Sequence, residues 1–302
     1  MKPEMKPGIK LFSPTKLAVE AMASCCGDGD KSPVAPSEVY NETWMLRMTL
    51  SFIHDFGDRD RINDRYNIRK ELLDVASAVR RSWISEGGLS PVFDMEGPTW
   101  TDAILGNIKL DKQGKTKRGV VIDSANDKDD GVVVIEAKVS SALASGITHA
   151  SDYNQVVRNV ACLAQLVMGK NFAADSAFFV FAPQNMINDW QDDRKKDSLG
   201  PEYLLGALED CKSRIWNVIE NQCDRNKNVG QSKGSDPKRK LKYIDRDKFE
   251  NAFKDAVKKI VTNSKVVSWE SIIQSFDCDE CESLKDFYVK TCEEYGLGPC
   301  WG

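Results

Sequence analysis

Apolar residues recur every three or four positions across residues 41–53, where Trp44, Met45, Met48, Phe52 and Ile53 fall on one side of a helix. The same period returns across residues 67–84. Leu72, Leu73, Val75, Ala76, Val79 and Trp83 form its apolar side, and Gly87-Gly88 is the expected stop. The texture then changes to short β-branched runs. Residues 91–93, 99–105 and 120–122 read as strands, as does the run at 131–139. That last run is apolar on both faces until Glu136, the pattern of a strand inside a sheet. Helical spacing resumes at 152–168, with Val156, Val157, Val160, Ala161, Leu163, Ala164 and Val167 on the buried side. Residues 176–182 form the next strand, closed by Pro183. Helices fit 198–223 and 246–262, and residues 268–302 read as a helix or two with a cysteine-rich tail.

This order predicts an α/β chain of the mixed α+β kind. A central mixed β-sheet of about four to five strands is flanked by helices. The expected division has three parts. Residues 1–37, with Pro3, Pro7, Pro14, Pro33, Pro36 and the run Gly27-Asp28-Gly29-Asp30, read as a flexible leader. Residues 38–190 form the core, and residues 191–302 a mainly helical C-terminal extension packed on it.

Composition narrows the function. With 302 residues the chain can bury a sizeable core. Lys plus Arg number 42 and Asp plus Glu 46, a formal charge of −4, which excludes a histone-like, globally basic nucleic-acid binder. No apolar run approaches the roughly 20 residues of a membrane helix, and the first residues lack the apolar stretch of a secretory signal. Nine cysteines cannot all pair within one chain. The expectation is a reduced, cytoplasmic protein with no membrane partner. Only two histidines are present, His54 and His149, which argues against a zinc hydrolase or a histidine-based triad.

The informative constellation is an acid on one strand, Glu-x-Lys on a later strand and a glutamine on the helix that follows. These are Asp102, Glu136-Ala137-Lys138 and Gln155. Alternate strand residues share a face, so Glu136 and Lys138 point to the same side of the sheet. If Asp102 lies on a neighbouring strand and faces that side, two carboxylates converge beside an ammonium. Two carboxylates and a backbone carbonyl make a hard-oxygen site for Mg²⁺ or Mn²⁺.

The arrangement resembles the PD-(D/E)XK, or restriction-endonuclease-like, nuclease superfamily over about residues 41–183. The Glu-x-Lys element is intact, whereas the proline–aspartate element reads Gly97-Pro98-Thr99-Trp100-Thr101-Asp102, with threonine directly before the aspartate. The resemblance implies a restriction-endonuclease-like core and a metal-dependent hydrolase that cleaves nucleic acid, more often DNA than RNA. Asp102 and Glu136 would bind the Mg²⁺ or Mn²⁺, with Glu42 on the first helix assisting and Glu71 the runner-up. Lys138 would orient water or steady the phosphate, and Gln155 would position water or substrate backbone. Arg158, one turn beyond Gln155, would contact nucleic acid. Cutting both strands of a duplex would call for two sites, and so for a homodimer.

Plainer readings stand beside these. Asp102 can be a strand-end residue capped by backbone amides, and Glu136 with Lys138 a same-face salt bridge. Gln155 can be a solvated first-turn residue, and Glu42 a helix N-terminal acid favoured by the macrodipole. Asp123 is an alternative ligand that ranks below Asp102. Residues 224–242 carry seven cations, including Lys238, Arg239 and Lys240, against two acids. They fit either a solvated loop or a phosphate-contacting arm. Cys278-x-x-Cys281 with Cys292 and Cys300 could hold zinc or an iron–sulfur cluster, but the spacings between the second, third and fourth match no metal-binding pattern and acids surround the first pair. The alternative to an active nuclease is an inactive member of the same fold that binds nucleic acid or another protein.

Overall fold

Asn41 starts the first helix: its side chain accepts the Trp44 N–H at 3.0 Å and so closes the first turn of α1, Glu42–Phe56. The computed structural model describes residues 39–57, 62–63, 66–91, 99–111, 119–123, 131–141, 154–190, 246–276 and 281–301. The leader, the helix expected at 198–223 and the basic segment with Lys238, Arg239 and Lys240 lie outside the described residues, as do His149 and Cys278.

After α1 come α2, Arg69–Val79, and strands β1, Trp83–Leu89, β2, Thr99–Leu105, β3, Ile108–Leu110, β4, Val120–Ile122, and β5, Val133–Ala137. Then follow α3, Gln155–Val167, a 3₁₀ turn at Asn171–Asp175, β6, Ala177–Ala182, and α4, Gln184–Trp190. The chain ends with α5, Arg246–Asn263, β7, Lys265–Ser268, α6, Trp269–Gln274, and α7, Cys281–Glu294. The five-stranded sheet has the order β1-β2-β5-β6-β7. Strands β1, β2 and β5 pair antiparallel, while β5, β6 and β7 pair parallel, so the sheet is mixed. Strands β3 and β4 form a separate antiparallel pair.

The sheet separates two apolar layers. On one side Ile135, Ala137, Phe179 and Phe181 pack with α1, α2, α6 and α7. On the other, Val134, Phe178 and Val180 pack with α3 and α5. Two-sided burial explains why β5 and β6 lack polar alternation, and each Phe side chain so buried contributes about 2–3 kcal/mol. β5 enters this interior through Gly131, where a Cβ would stand 1.9 Å from the Asp175 carbonyl oxygen.

Three elements differ from the sequence expectation. The second helix stops at Val79 rather than 84, and Trp83–Leu89 is an edge strand whose Gly87-Gly88 pair lies within it. Pairing with β2 outweighs the helical spacing of Trp83 and Ile84. β3 and β7 were not expected at all, and β7 gives the C-terminal part of the chain a strand of the central sheet.

Candidate active site

The site forms where β5 ends. In the β2–β5 register Ala103 lies opposite Ile135 and Ile104 opposite Val134, so the next step brings Asp102 to Glu136. The ladder opens there. The Ala137 N–H donates to Asp102 Oδ2 at 2.7 Å instead of to the β2 backbone.

Alternation through Ala103 and Ile104 gives Asp102 the face of Ile104, Val134 and Glu136, and β1 and β2 turn irregular there. Thr99 Oγ1 meets Cys162 Sγ of α3 at 3.3 Å, whereas Ala103, four residues on, packs in the opposite layer. Strict alternation would give both the same face. The flip falls at Glu86 and Asp102, the one position at which β1 and β2 lose their pairing. Glu86 has φ 55°, the left-handed region that a non-glycine residue avoids. Its carboxylate sits 3.5 Å from Arg47 of α1.

Glu136 is 1 % exposed and holds the centre of the network. Lys138 Nζ donates to its Oε1 at 2.7 Å, Gln155 Nε2 donates to the same oxygen, and Asn159 Nδ2 donates to Oε2 at 3.2 Å. The helix delivers both amides because Asn154 caps it: its side chain accepts the Val157 N–H at 3.0 Å. Gln155 is thus the first residue of α3, and Asn159 lies one turn later on the same face. Burial foremost, then the nearby Asp102 charge, push the Glu136 carboxyl up to about 8 against the pull of Lys138. The Asp102 and Glu136 carboxyls are close enough for a hydrogen bond once one is protonated.

Lys138 is 6 % exposed. Burial disfavours its charge, but the carboxylates of Glu136, Glu42 and Asp102 outweigh burial and hold its pKa above the ordinary lysine value. Two elements fix its backbone: its N–H donates to the Phe181 carbonyl at 2.7 Å, and its carbonyl accepts the Trp269 indole N–H at 2.8 Å. Glu42 reaches over from α1. Its Oε2 accepts the Val139 N–H at 2.8 Å and the Ser141 hydroxyl at 3.3 Å, and its Oε1 accepts from Lys138 at 3.4 Å. Burial first of all raises the Glu42 carboxyl, with Lys138 and the Val139 N–H opposing.

The structure therefore brings together Asp102, Glu136, Lys138, Gln155 and Glu42. Glu42 joins through Lys138 and the β5 backbone. Among the described residues no three His, Cys, Asp or Glu side chains are arranged to hold a metal ion. Asp102 and Glu136 are the two carboxyls in contact, and Glu42 is engaged with Lys138 and the backbone that follows it. Arg158 is half-buried on the turn between Gln155 and Asn159. Glu71 is engaged elsewhere, with Lys265 at 3.1 Å, and Asp123 pairs with Lys109 at 2.9 Å. Cys281 and Cys292 are buried free thiols and Cys300 is exposed.

Two participants escaped the sequence reading. Asn159 is fully buried among the Val and Ala residues of α3, and its position four residues after Gln155 was a legible signal. Trp269 comes from 131 residues away in the chain, and no local pattern announces it. Compared with protein-family models, with curated proteins and with solved structures, the chain finds no match.

Proposed function

We propose that this chain is a divalent-metal-dependent nuclease of the PD-(D/E)XK type that hydrolyses phosphodiester bonds of nucleic acid, DNA in preference to RNA. One observation carries the reading: Asp102, Glu136 and Lys138, from two strands, meet at one sheet end beside Gln155. The choice of DNA rests on the resemblance.

The residues fit Mg²⁺ or Mn²⁺. Asp102 and Glu136 offer only hard oxygen donors, and with Glu42 the site holds three carboxylates against the single ammonium of Lys138. Carboxylates in contact need a proton or a cation between them. A bound Mg²⁺ or Mn²⁺ would supply Lewis acidity and neutralise charge on a phosphoryl oxygen. The chain's own residues do the rest. Gln155 and Asn159 grip opposite oxygens of Glu136 and fix its plane. Lys138 directs two N–H donors to Glu136 and Glu42, and its third is left for the attacking water or a phosphate oxygen, where negative charge grows.

The test is cleavage of supercoiled and linear DNA with Mg²⁺ or Mn²⁺. Lys138→Ala and Glu136→Ala should each lower the rate by about 100-fold or more with the fold retained by circular dichroism. Undiminished cleavage in either variant overturns the assignment. A second reading is an inactive member of the fold that binds nucleic acid or a protein. The occupation of Asp102 by a backbone amide favours it. Calorimetry separates the two, because the second reading requires nucleic-acid affinity without divalent-metal binding.

A further inference from the structure

Among the described residues three large apolar side chains are exposed: Trp100 at 48 %, Leu110 at 41 % and Tyr295 at 39 %. Two of them stand at the active-site end of the sheet. Continuing the β2–β5 register past Asp102 and Glu136 puts Trp100 level with Lys138, and Trp100 keeps that exposure with its own contacts made. Tyr295 directly follows α7. Its hydroxyl stands against the backbone N–H of Glu42, the acid that contacts Lys138 Nζ at 3.4 Å.

Tyr295 is also a wall of a groove of about 410 Å³ that starts at Glu42 and follows the first turns of α1, past Thr43, Trp44 and Arg47, to Glu86 of β1. Through Glu42 the groove is continuous with the site. Both of its sides are held. The Tyr295 and Leu297 N–H groups donate to the Cys292 carbonyl at 3.1 and 2.8 Å, which fixes the turn after α7. Arg47 lies 4.9 Å over the Trp44 ring and donates to Ser85 Oγ at 3.0 Å. The lining acids are matched, Glu86 by Arg47 at 3.5 Å and Glu42 by Lys138. To an incoming molecule the groove therefore offers a fixed aromatic face rather than a spare cation. A flat ring stacks on such a face without displacing these contacts, because it meets the ring of Tyr295 and not the hydroxyl.

We propose that the strand to be cut is held here unpaired, with a base next to the scissile phosphate stacked on Tyr295. The proposal rests on the nucleic-acid reading of the site and narrows it to single strands and strand ends. A groove of this volume accommodates one nucleotide. A base inside a duplex has both faces covered by its neighbours, so only an unstacked one can lie on the ring. The grip is indifferent to sequence, since every base has a π-face.

The test is fluorescence anisotropy on the full chain with chelator present, so that cleavage does not intrude. Three labelled probes of equal length are compared: oligo(dT), the same sugar–phosphate strand without bases, and the oligo(dT)·oligo(dA) duplex. Oligo(dT) should bind saturably, and about tenfold or more tighter than either of the others. Tyr295→Ala should weaken oligo(dT) binding about tenfold, toward the value of the base-free strand. Tyr295→Phe, which keeps the ring, should retain the affinity, and Leu110→Ala, which removes an exposed apolar side chain elsewhere, should leave it unchanged. Should Tyr295→Ala fail to fold, Tyr295→Leu supplies bulk without a flat ring and must weaken binding as well. Equal affinity for oligo(dT) and the base-free strand overturns the proposal, as does tighter binding of the duplex or full affinity in the variant that lacks the ring. The two readings fail separately. Loss of cleavage in Lys138→Ala with undiminished strand binding in Tyr295→Ala keeps the nuclease and removes the stacking site, whereas undiminished cleavage in Lys138→Ala with weakened binding in Tyr295→Ala does the reverse.

Discussion

Glu136 shows at the scale of one residue how burial is turned into chemistry. Its carboxyl titrates near 8 in the fold, against an ordinary 4.5, because burial first and the Asp102 charge second disfavour ionisation. Between those two values the native state keeps a proton that the unfolded chain has released. Raising pH through that window therefore draws the metal-free protein toward the unfolded state, and the Glu136 contribution falls away from about pH 5 to about pH 8. Urea midpoints measured with chelator across this range should decline in the wild type, and the decline should flatten in Glu136→Gln. Parallel slopes in the two proteins would refute it. Asn159 acts one contact further out. Its Nδ2 holds Glu136 Oε2, while its Oδ1 is buried without a protein partner. Outer contacts of this kind typically matter about 10- to 100-fold to metal affinity, so Asn159→Ala should weaken Mn²⁺ binding by that factor in calorimetry. Full affinity in the variant would reduce Asn159 to a packing residue.

Whole elements were legible where their period was long and undisturbed. α1, α3, β5 and β6 follow from repeats of apolar residues that tertiary contacts reinforce. β7 has four residues, too few for any period to register, and its identity comes from pairing with β6. Trp83 and Ile84 continue a helical spacing that pairing with β2 overrides. In the same way, Glu-x-Lys on β5 was readable as a same-face pair, but the nearness of Asp102 was not, because only the pairing of β2 with β5 brings it opposite Glu136. Element packing also sets Lys138. Trp269, at the first turn of α6, is fully buried and donates its indole N–H to the Lys138 carbonyl. Trp269→Phe keeps most of the ring and leaves that carbonyl unpaired. It should cost about 1–3 kcal/mol in urea unfolding, with a larger proportional loss in cleavage rate than Phe181→Leu, a change in the same layer that keeps the bond. Equal losses from both would mean that Trp269 contributes bulk alone.

Across the molecule, the two apolar layers are joined by contacts that no local pattern reveals. Glu270 is 2 % exposed, yet three neutral donors surround it: the Tyr288 hydroxyl at 2.8 Å, the Gln184 N–H at 2.9 Å and the Cys300 N–H at 3.1 Å. It thereby ties α4, α6, α7 and the last described residues into one unit. Glu270→Ala would strand those donors and should lower stability by about 3 kcal/mol or more, with faster amide exchange at residues 297–301. Unaltered exchange there would show that Trp301, which packs edge-on against Tyr288, holds the tail without it. Among the described residues no helix is long and apolar enough to cross a membrane.

The reversal of pleat at Glu86 and Asp102 has a consequence for variation in this chain. Deleting Ala103 would restore regular alternation along β2 and leave most of both oily layers intact, while swinging the aspartate to the face away from its glutamate. Such a descendant would keep its architecture and lose its acid pair, so folding and chemistry can part company here through a single slip of backbone.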